Sequence, residues 1–532
     1  MGKIKVGKNA IENLTRAMYQ DSRIIYREYI QNSVDQPLNA PNELEININI
    51  DPNRRYISIS DNGAGVGKKK IVVTLADVAD SQKKKGESIG FRGIGRLGGL
   101  AYCDTLRFTT STKGEAEKTI MTWDAKLLND MLDDPAVTDE ASVILEKVIS
   151  YEYEACSAEE HFFTVELIGI RNENVDLLNI EKVKEYISLN APVPFHSNFY
   201  YRDDIHKYQE KNKLSIKEYK IFVNDEDVLK PYSTRLYKKE SSGNKKKYDE
   251  IYGVKIHEFH DRSGNLLAWM WYGISRFEIQ IPFPLNNMAG IRIRQANIQI
   301  GDEKTLVHLF KENRANLYFI GEIYTTHKDL IPNARRDYFN ENETRNVFES
   351  ELSYYFSTVL HTLYTDANKA KSSFKKELAL LQKEAEYAQK QGRFVNDKAK
   401  QKLELELESA KLANIKAKRD LERLAVKADT NEVFQVVLNK IEQAHRDDLA
   451  DAGFDSSPKP DALKGKKVKN EEVLPKKTSY LVDELSSLPD KHRKLVSRIY
   501  DVIQRNLSPE QSEELIGKIQ EELKHGKKDS AS

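Results

Sequence analysis

Cysteine is almost absent from this 532-residue sequence, which contains only Cys103 and Cys156. Two cysteines cannot build a disulfide framework or a cysteine-based zinc site, and such scarcity is typical of a reducing compartment. Long apolar runs are also missing, since nowhere do about 18 uncharged apolar residues follow one another. The first residues lack the apolar stretch of a signal peptide. These absences predict a cytoplasmic protein that does not use a membrane as a partner.

An excess of charge of one sign is a third absence. The chain has 83 Lys plus Arg and 83 Asp plus Glu, although charged residues make up 31% of it. No global electrostatic field therefore attracts nucleic acid or anionic lipid, and any basic surface has to be local. The chain is too long for one hydrophobic core, so several domains are expected.

The first third of the sequence has the pattern of an α+β domain. Residues 11–36 carry helical periodicity, and two alternating apolar–polar runs follow, separated by Asp51-Pro52-Asn53. Further strand-like runs read LRFTTST, KTIMTWD and HFFTVELIGI. We predict an α/β sandwich over residues 1–175.

Composition and periodicity divide the rest of the chain into four segments. Residues 176–343 contain the alternating runs YKIFVN, LAWMWYGI and IRIRQANIQI, which predict a second α/β domain. Residues 344–450 are rich in Glu, Lys, Ala and Leu, and their apolar spacing predicts a helical coiled-coil region. That region would be a helical hairpin, a dimeric coiled coil, or amphipathic helices packed on their own domain. Residues 451–478 predict a disordered Lys/Pro linker, and residues 479–532 a small helical module.

A nucleotide site in this chain would have to work without a P-loop, because GxxxxGK[ST] is absent. Residues Gly93-Ile94-Gly95-Arg96-Leu97-Gly98 formally match a dinucleotide fingerprint. That fingerprint requires a strand directly before the first glycine, whereas the preceding SQKKKGESIGFR is polar and rich in lysine. We therefore reject a Rossmann site.

Three other segments contain residues that are suited to binding a nucleotide. Glu28, Asn32 and Asp35 are spaced i, i+4 and i+7, so one helical face presents two carboxylates and a carboxamide. The run DNGAGVG ends a predicted strand with an acid and three glycines, which let a backbone pass close to a flat ligand. The run GFRGIGR leads into apolar LGGLA, so its amides would lie at a helix N-terminus, where phosphate is favoured. Taken singly, the segments also fit a surface helix, a hairpin turn and a loop.

In this order and spacing, the three segments resemble the N, G1 and G2 boxes of the GHKL superfamily of gyrases, heat-shock chaperones, histidine kinases and MutL. Its shared ATP-binding sandwich is called the Bergerat fold. The resemblance implies that Glu28 positions and deprotonates the attacking water, that Asn32 ligates Mg²⁺, and that Asp61 accepts a hydrogen bond from the adenine amino group.

The resemblance also assigns the other positions of the ATP pocket. It implies that Gly65 gives room for the base, that the amides of Gly93 to Arg96 cradle phosphate, and that Thr164 supports the adenine-binding aspartate. The segment between Gly67 and Gly90 would form a lid over the ATP pocket. The implied ATP-binding residues are Asn32, Asp35, Asp61, Gly63, Gly65, Lys83, Gly90, Gly93, Ile94, Gly95, Arg96 and Thr164.

The second domain resembles the middle domain of the ninety-kilodalton heat-shock chaperones through IRIRQANIQIGDEK and FIGEIYTTHKDLIPNARRDYFN. In that family, an arginine in an Asn-x-Ser-Arg-Glu stretch reaches the γ-phosphate from the neighbouring domain. The run Asn333-Ala334-Arg335-Arg336-Asp337 puts Arg336 at this position, with Arg335 replacing the usual serine. A catalytic Arg336 would stabilise transition-state charge. The alternative is that both arginines are solvated loop charges.

The resemblance covers about residues 8–345 and predicts a Mg²⁺-dependent ATPase. Hydrolysis would drive closure of the N-terminal domains in a homodimer, formed through those domains or the coiled coil, that acts on a protein partner or client. Because no match to the chaperones' C-terminal dimerisation domain is found, a microrchidia-like clamp on nucleic acid and a defence-system component remain alternatives. A non-hydrolysing ATP-binding scaffold is the alternative from another class.

Other readings of the chain fit less well. A histidine kinase needs a phosphoacceptor helix ahead of the ATP domain, and only about ten residues precede the first helix here. His257 and His260 lie in strand-like text without a second cluster, so we interpret them as ordinary polar residues and not as metal ligands. The aromatic run WMWYG is interpreted as core.

Overall fold

The computed structural model describes the chain in seven stretches, which fall into two units, Met1–Pro458 and Lys459–Ser532. The described residues are 6–15, 21–35, 44–76, 95–214, 216–391, 394–454 and 490–525. Among them, no helix combines the length and the apolar character needed to cross a membrane.

A mixed eight-stranded sheet with helices forms the N-terminal part of the first unit. The helices of this part are α1 (Asn9–Thr15), α2 (Ile24–Val34), α3 (Ala125–Asp133), α4 (Ala141–Val148), α5 (Ile180–Asn190) and α6 (Arg202–Lys211). Its strands are β1 (Glu45–Asp51), β2 (Tyr56–Asp61), β3 (Thr105–Ser111), β4 (Glu117–Asp124), β5 (Ile149–Ala155), β6 (Phe162–Ile168), β7 (Lys220–Val223) and β8 (Glu226–Asp227). The strand order is β5-β4-β3-β6-β2-β1-β7-β8.

The predicted β1–β2 hairpin is confirmed. Ile46 pairs with Asp61 and Asp51 with Tyr56, and the Asp51 carboxylate accepts hydrogen bonds from two backbone amides of the turn. Alternate residues of β2 are buried, including Ile57 and Ile59, as expected of a sheet with one face on the core. The apolar face of this sheet packs against α2.

Strand β7 extends this first sheet by pairing in parallel with β1, for example through Ile46 and Ile221. Its sequence, YKIFVN, is predicted above as part of the second domain. Alternation identifies a strand but carries no information about which sheet edge the strand joins. The long connection that a parallel pair requires is the chain between them, residues 52–219, which contains β2–β6 and α3–α6.

The second sheet has five strands and a separate two-stranded ribbon beside it. The ribbon is formed by β9 (Arg235–Lys239) and β10 (Lys245–Glu250). The sheet consists of β11 (Gly253–His260), β12 (Leu266–Ile274), β13 (Gly290–Gln295), β14 (Ile298–Ile300) and β15 (Ile320–Thr325), in the order β11-β12-β15-β13-β14. Trp269 and Trp271 of β12 are buried, and the His257 ring stacks on Tyr355 at 3.9 Å between centroids.

Four helices follow the second sheet, and three of them begin at an asparagine. They are α7 (Glu343–Tyr355), α8 (His361–Lys390), α9 (Asp397–Asp429) and α10 (Glu432–Asp451). The side chains of Asn342, Asn396 and Asn431 accept a backbone N–H in the first turns of α7, α9 and α10. This is the ordinary capping of a helix N-terminus.

Helices α8 and α9 form an antiparallel pair within one chain. Ion pairs join Asp366 to Lys427 at 2.7 Å and Lys383 to Glu406 at 2.7 Å, which fixes the opposite directions of the two helices. The apolar side chains of the second sheet and of α10 share one core. Within the single chain, α8 and α9 thus form a hairpin that shares a core with α10 and the second sheet.

The second unit contains α11 (Asp490–Asn506) and α12 (Pro509–His525). Most of the predicted linker lies outside the described residues. The predicted fold class is confirmed: a mixed α/β chain is followed by a long helical region.

Candidate functional site

Helix α2 is buried on nearly all sides, including its charged residues. Arg27 and Glu28 are only 4% and 8% exposed. Asn32 and Asp35, on the same helical face as Glu28, are half-buried. Buried charges are costly unless they are paired or hydrogen-bonded, so an ordinary solvated surface does not explain this polar row.

The Glu28 carboxylate lies between Arg27 and the glycine-rich segment that begins at Gly95. Arg27 Nη2 is 3.2 Å from Glu28 Oε1. A Cβ atom on Gly95 would overlap Glu28 Oε2, so the backbone at Gly95 passes directly over the carboxylate. The structure thus brings together two of the three segments singled out in the sequence.

Tyr29 fixes the short 3₁₀ helix Gly95–Ala101 to α2. Its hydroxyl donates to the Arg96 carbonyl at 3.1 Å and accepts from the Gly99 amide at 3.1 Å. Tyr29 was not identified from the sequence, and no local signal marks this contact because Tyr29 and Gly99 are 70 positions apart.

The third segment starts where β2 ends, at Asp61. This carboxylate is 3% exposed, and its Oδ1 accepts the Gly63 amide at 2.9 Å. The Gly63 carbonyl is hydrogen-bonded to His161 Nδ1 at 2.9 Å, and Thr110 Oγ1 accepts the Val66 amide at 2.8 Å. These bonds hold the loop after Asp61 against the ends of the neighbouring strands.

Gly65 has a positive φ of +67°, and a Cβ atom there would overlap the carbonyl oxygen of Ser111. The resemblance implies that Gly65 makes room for a base. The structure provides a separate reason for glycine, which is the close approach of two backbones.

The placement of Thr164 differs from what the resemblance implies. Its hydroxyl is hydrogen-bonded to Ser60 at 2.8 Å, and these residues pair directly across β2 and β6. Because neighbouring residues of a strand point to opposite faces, Thr164 lies on the face of the sheet away from Asp61. Support of Asp61 by Thr164 is therefore corrected. Thr110 lies on the buried face and donates to the Phe162 carbonyl at 2.8 Å.

The loop that carries Arg335 and Arg336 reaches α2 from the second domain. Arg27 Nη2 lies 3.4 Å from the Arg335 carbonyl oxygen, so one guanidinium contacts both this loop and Glu28. Arg335 is exposed, whereas Arg336 is 5% exposed with a φ of +56°. Arg336 is thus not a solvated loop charge. Arg27 itself was missed, because a charged residue beside a catalytic candidate has no distinctive spacing.

Aromatic hydroxyls around α2 are uncharged donors. Burial raises the pKa of Tyr186 to about 12 and raises the pKa of Tyr26 well above its usual range. The Tyr26 hydroxyl donates to the Leu177 carbonyl at 2.6 Å. These two hydroxyls therefore add no negative charge near Glu28.

The donor set of α2 fits a magnesium ion that is held jointly by protein and nucleotide. Among the described residues, no group of three His, Cys, Asp or Glu side chains could form a cage for a metal. Mg²⁺ usually takes one or two protein oxygens and completes its shell with phosphates and water. The carboxamide of half-buried Asn32 offers such an oxygen one helical turn from Glu28. Four of the predicted positions, Lys83, Gly90, Gly93 and Ile94, lie outside the described residues.

Comparison with known proteins agrees with this geometry. Residues 21–150 match the family described as histidine kinase-, DNA gyrase B-, and HSP90-like ATPase. Chaperone protein HtpG of Psychrobacter arcticus is 28% identical over 135 residues, covering 21% of each chain. HtpG of Chromobacterium violaceum is also 28% identical over 135 residues with the same coverage, and HtpG of Escherichia coli O1:K1 is 24% identical over 143 residues, covering 22% of this chain and 23% of the relative. The similarity therefore spans about a fifth of the length of these relatives.

Proposed function

We propose, from the finding that residues 21–150 are a domain of the histidine kinase-, DNA gyrase B- and HSP90-like ATPases, that this chain binds and hydrolyses ATP. The observation that carries the proposal is the position of Glu28. Its carboxylate is directed by a buried helix toward the backbone at Gly95 and is held by Arg27. A fixed carboxylate beside a glycine backbone suits the activation of water next to a phosphate.

The proposed reaction uses the residues of α2 and β2 in separate roles. Asp61, buried at the end of β2, accepts a hydrogen bond from the adenine amino group. Glu28 takes the proton of the attacking water, and Arg27 keeps the Glu28 carboxylate in position. Asn32 holds Mg²⁺, which neutralises phosphate charge when it is bound.

Arg336 is proposed to supply positive charge from the second domain. Its loop already contacts α2 through the Arg335 carbonyl. A buried cation that meets developing negative charge stabilises the transition state, because it need not be reoriented during the reaction.

Closure of the N-terminal domains on ATP, within a homodimer, is proposed as the larger action. The family of residues 21–150 supports a chaperone-like use of ATP, and the partner is a protein. A nucleic-acid clamp and a defence-system component are the alternatives. Sedimentation of the Glu28→Ala protein with and without ATP measures the closure: an ATP-dependent dimer is expected, and an unchanged monomer would contradict it.

Substitution of Glu28 tests the chemical proposal directly. Glu28→Ala is expected to bind ATP in a calorimetric titration but to release phosphate about 10²–10⁴-fold more slowly, since a positioned base contributes a factor of that size. Asp61→Asn is expected to lose ATP binding itself. Glu173→Ala, an exposed glutamate of the same domain, is the control and should behave as wild type.

The results for these two variants distinguish the catalytic role of Glu28 from the adenine-binding role of Asp61. Undiminished turnover in Glu28→Ala removes that residue from catalysis, and normal affinity in Asp61→Asn contradicts the adenine assignment. ATP binding without any phosphate release by the wild-type protein would favour a non-hydrolysing scaffold.

A further inference from the structure

The β9–β10 ribbon concentrates positive charge in a chain whose net charge is zero. Arg235, Lys238 and Lys239 lie on β9, and three consecutive lysines begin β10. The register places Lys245 opposite Lys239 and Lys246 opposite Lys238. Like charges directly opposite each other in an antiparallel pair destabilise it, so the two Lys–Lys pairs carry an electrostatic cost in the free protein.

Acidic side chains offset only part of this charge. Lys246 is 3.1 Å from Glu240, and Lys247 is paired with Glu250. Lys238, Lys239 and Lys245 are exposed and have no carboxylate within 4 Å among the described residues. These three cations are available to an external anion.

Because side chains alternate between the two faces of a strand, the cations of β9 and β10 are divided between the two faces of the ribbon. Arg235, Tyr237 and Lys239 share one face of β9, and their partners on the same face of β10 include Lys245 and Lys247. Lys238 and Lys246 lie together on the other face. Both faces of the ribbon therefore carry positive charge, so phosphates on either side of the ribbon would meet a lysine.

The base of the ribbon is firmly attached to the second domain. The buried Asn286 side chain accepts from the Tyr237 amide at 3.0 Å and donates to the Tyr237 carbonyl at 2.8 Å. Leu236 is buried, and Asp249 is paired with Arg276 at 3.1 Å. A rigid base loses little conformational entropy when the lysines bind a partner.

We propose that the β9–β10 ribbon binds the phosphate backbone of a nucleic-acid duplex. The DNA major groove, about 12 Å wide, admits a two-stranded β-ribbon, and lysines neutralise the flanking phosphates. An anionic membrane is less suited, because the tip Glu240–Asn244 has no apolar side chain to insert among lipids. The inference goes beyond the proposed ATPase and does not depend on it.

Salt-dependent binding tests the ribbon. Lys238, Lys239, Lys245 and Lys246 are all changed to Gln in the full chain, and binding to a fluorescent random-sequence DNA duplex is measured by anisotropy over a range of salt. The slope of log affinity against log salt should fall in magnitude by about 3, since each of the three cations available to phosphate contributes about 0.9. The matched control changes four exposed lysines of α9, namely Lys398, Lys402, Lys411 and Lys418, and should keep the wild-type slope.

Several results would overturn the proposal. These are absence of duplex binding by the wild-type chain at low salt, an unchanged slope in the ribbon variant, and equal loss in the α9 control. Vesicles containing phosphatidylserine form a further arm: ribbon-dependent binding to vesicles without binding to duplex would identify a lipid surface instead. Circular dichroism verifies that each variant is folded. Asp61→Asn is expected to bind the duplex normally, which separates failure of the ribbon from failure of the ATP pocket.

Discussion

At the scale of single residues, the loop after Asp61 depends on one glycine. Gly65 combines a left-handed backbone with a close approach to the Ser111 carbonyl. Hydrogen bonds of Asp61, Gly63 and Val66 hold the same loop. Backbone geometry is thus a sufficient reason for glycine at position 65.

Gly65→Ala is expected to destabilise the N-terminal domain and to weaken ATP binding. The left-handed conformation alone costs about 1–2 kcal/mol for a non-glycine residue, and displacement of the β3 backbone adds to it. Gly114→Ala is the matched control, because Gly114 also has a positive φ but open space around its Cα. Thermal unfolding and calorimetric ATP titration measure both variants. Equal behaviour of the two would show that the contact with Ser111 is unimportant.

Thr164 shows that a sequence motif can select a strand residue whose side chain lies on the wrong face of the sheet. Thr164 is a strand threonine near the expected place, but its side chain bonds to Ser60 on the other face of the sheet. Thr110, on the buried face, has no motif around it and is identified only by its contacts. A shift of one residue reverses the face of a strand residue.

At the scale of elements, the second sheet is built around buried charges. Glu322 of β15 accepts from Lys230 Nζ at 2.9 Å and from the Tyr232 hydroxyl at 3.2 Å, and it is also paired with Arg294 of β13. Arg294 in turn donates to the Leu189 carbonyl of α5 at 2.7 Å. The cluster therefore ties two neighbouring strands of the second sheet to α5, a helix of the N-terminal part.

The titration of Glu322 predicts a pH dependence of stability. Burial alone raises its pKa, but the charges of Arg294 and Lys230 outweigh burial and lower the pKa from 4.5 to about 2. Since the folded value lies below the unfolded one, the carboxylate stabilises the fold above about pH 4.5, and this stabilisation is lost as the pH falls toward 2.

Glu322→Gln is therefore expected to destabilise the second domain by about 3–5 kcal/mol at neutral pH, since two buried cations lose their partner. The difference in the free energy of unfolding between the variant and wild type should become smaller in acid. Urea unfolding followed by tryptophan fluorescence measures this, because Trp269 stacks on Tyr324 at 4.7 Å beside the cluster. Glu312→Gln, which removes an exposed pair with Arg314, should change stability by less than about 1 kcal/mol. If Glu322→Gln destabilises the protein equally at neutral pH and in acid, the lowered pKa of Glu322 is contradicted.

At the scale of the whole molecule, a loop from far along the chain reaches the candidate site at α2. Arg27 and Arg335 are 308 positions apart and meet at 3.4 Å. The two arginines of the loop differ, because Arg335 is exposed and Arg336 is buried. This difference permits a test with neighbouring substitutions.

Arg336→Ala is expected to lower kcat by roughly 10²–10³-fold with little change in ATP affinity, as for removal of one preorganised group that stabilises transition-state charge. Arg335→Ala should leave kcat near that of wild type, since only its carbonyl oxygen contacts α2. Arg336→Lys keeps the charge and should recover part of the rate. Steady-state phosphate release provides the measurement, and unchanged turnover in Arg336→Ala would end the proposed role in catalysis.

The sequence by itself determined the local features of this protein. Helix α2, the β1–β2 hairpin and the helical C-terminal region follow from periodicities of 3.6 and 2.0 residues. The three candidate segments were visible because their residue types and spacing are local as well. Glu28 and Gly95 both belong to these segments, although nothing in the sequence shows that they are in contact.

Only the tertiary structure decided which of these features meet and on which side. It joined β7 to the first sheet, turned Thr164 away from Asp61, brought the Arg335 carbonyl to Arg27, and aligned the lysines of β9 with those of β10. The physical reason is that strand pairing and side-chain burial depend on contacts between distant parts of the chain. Periodicity describes only what neighbouring residues share.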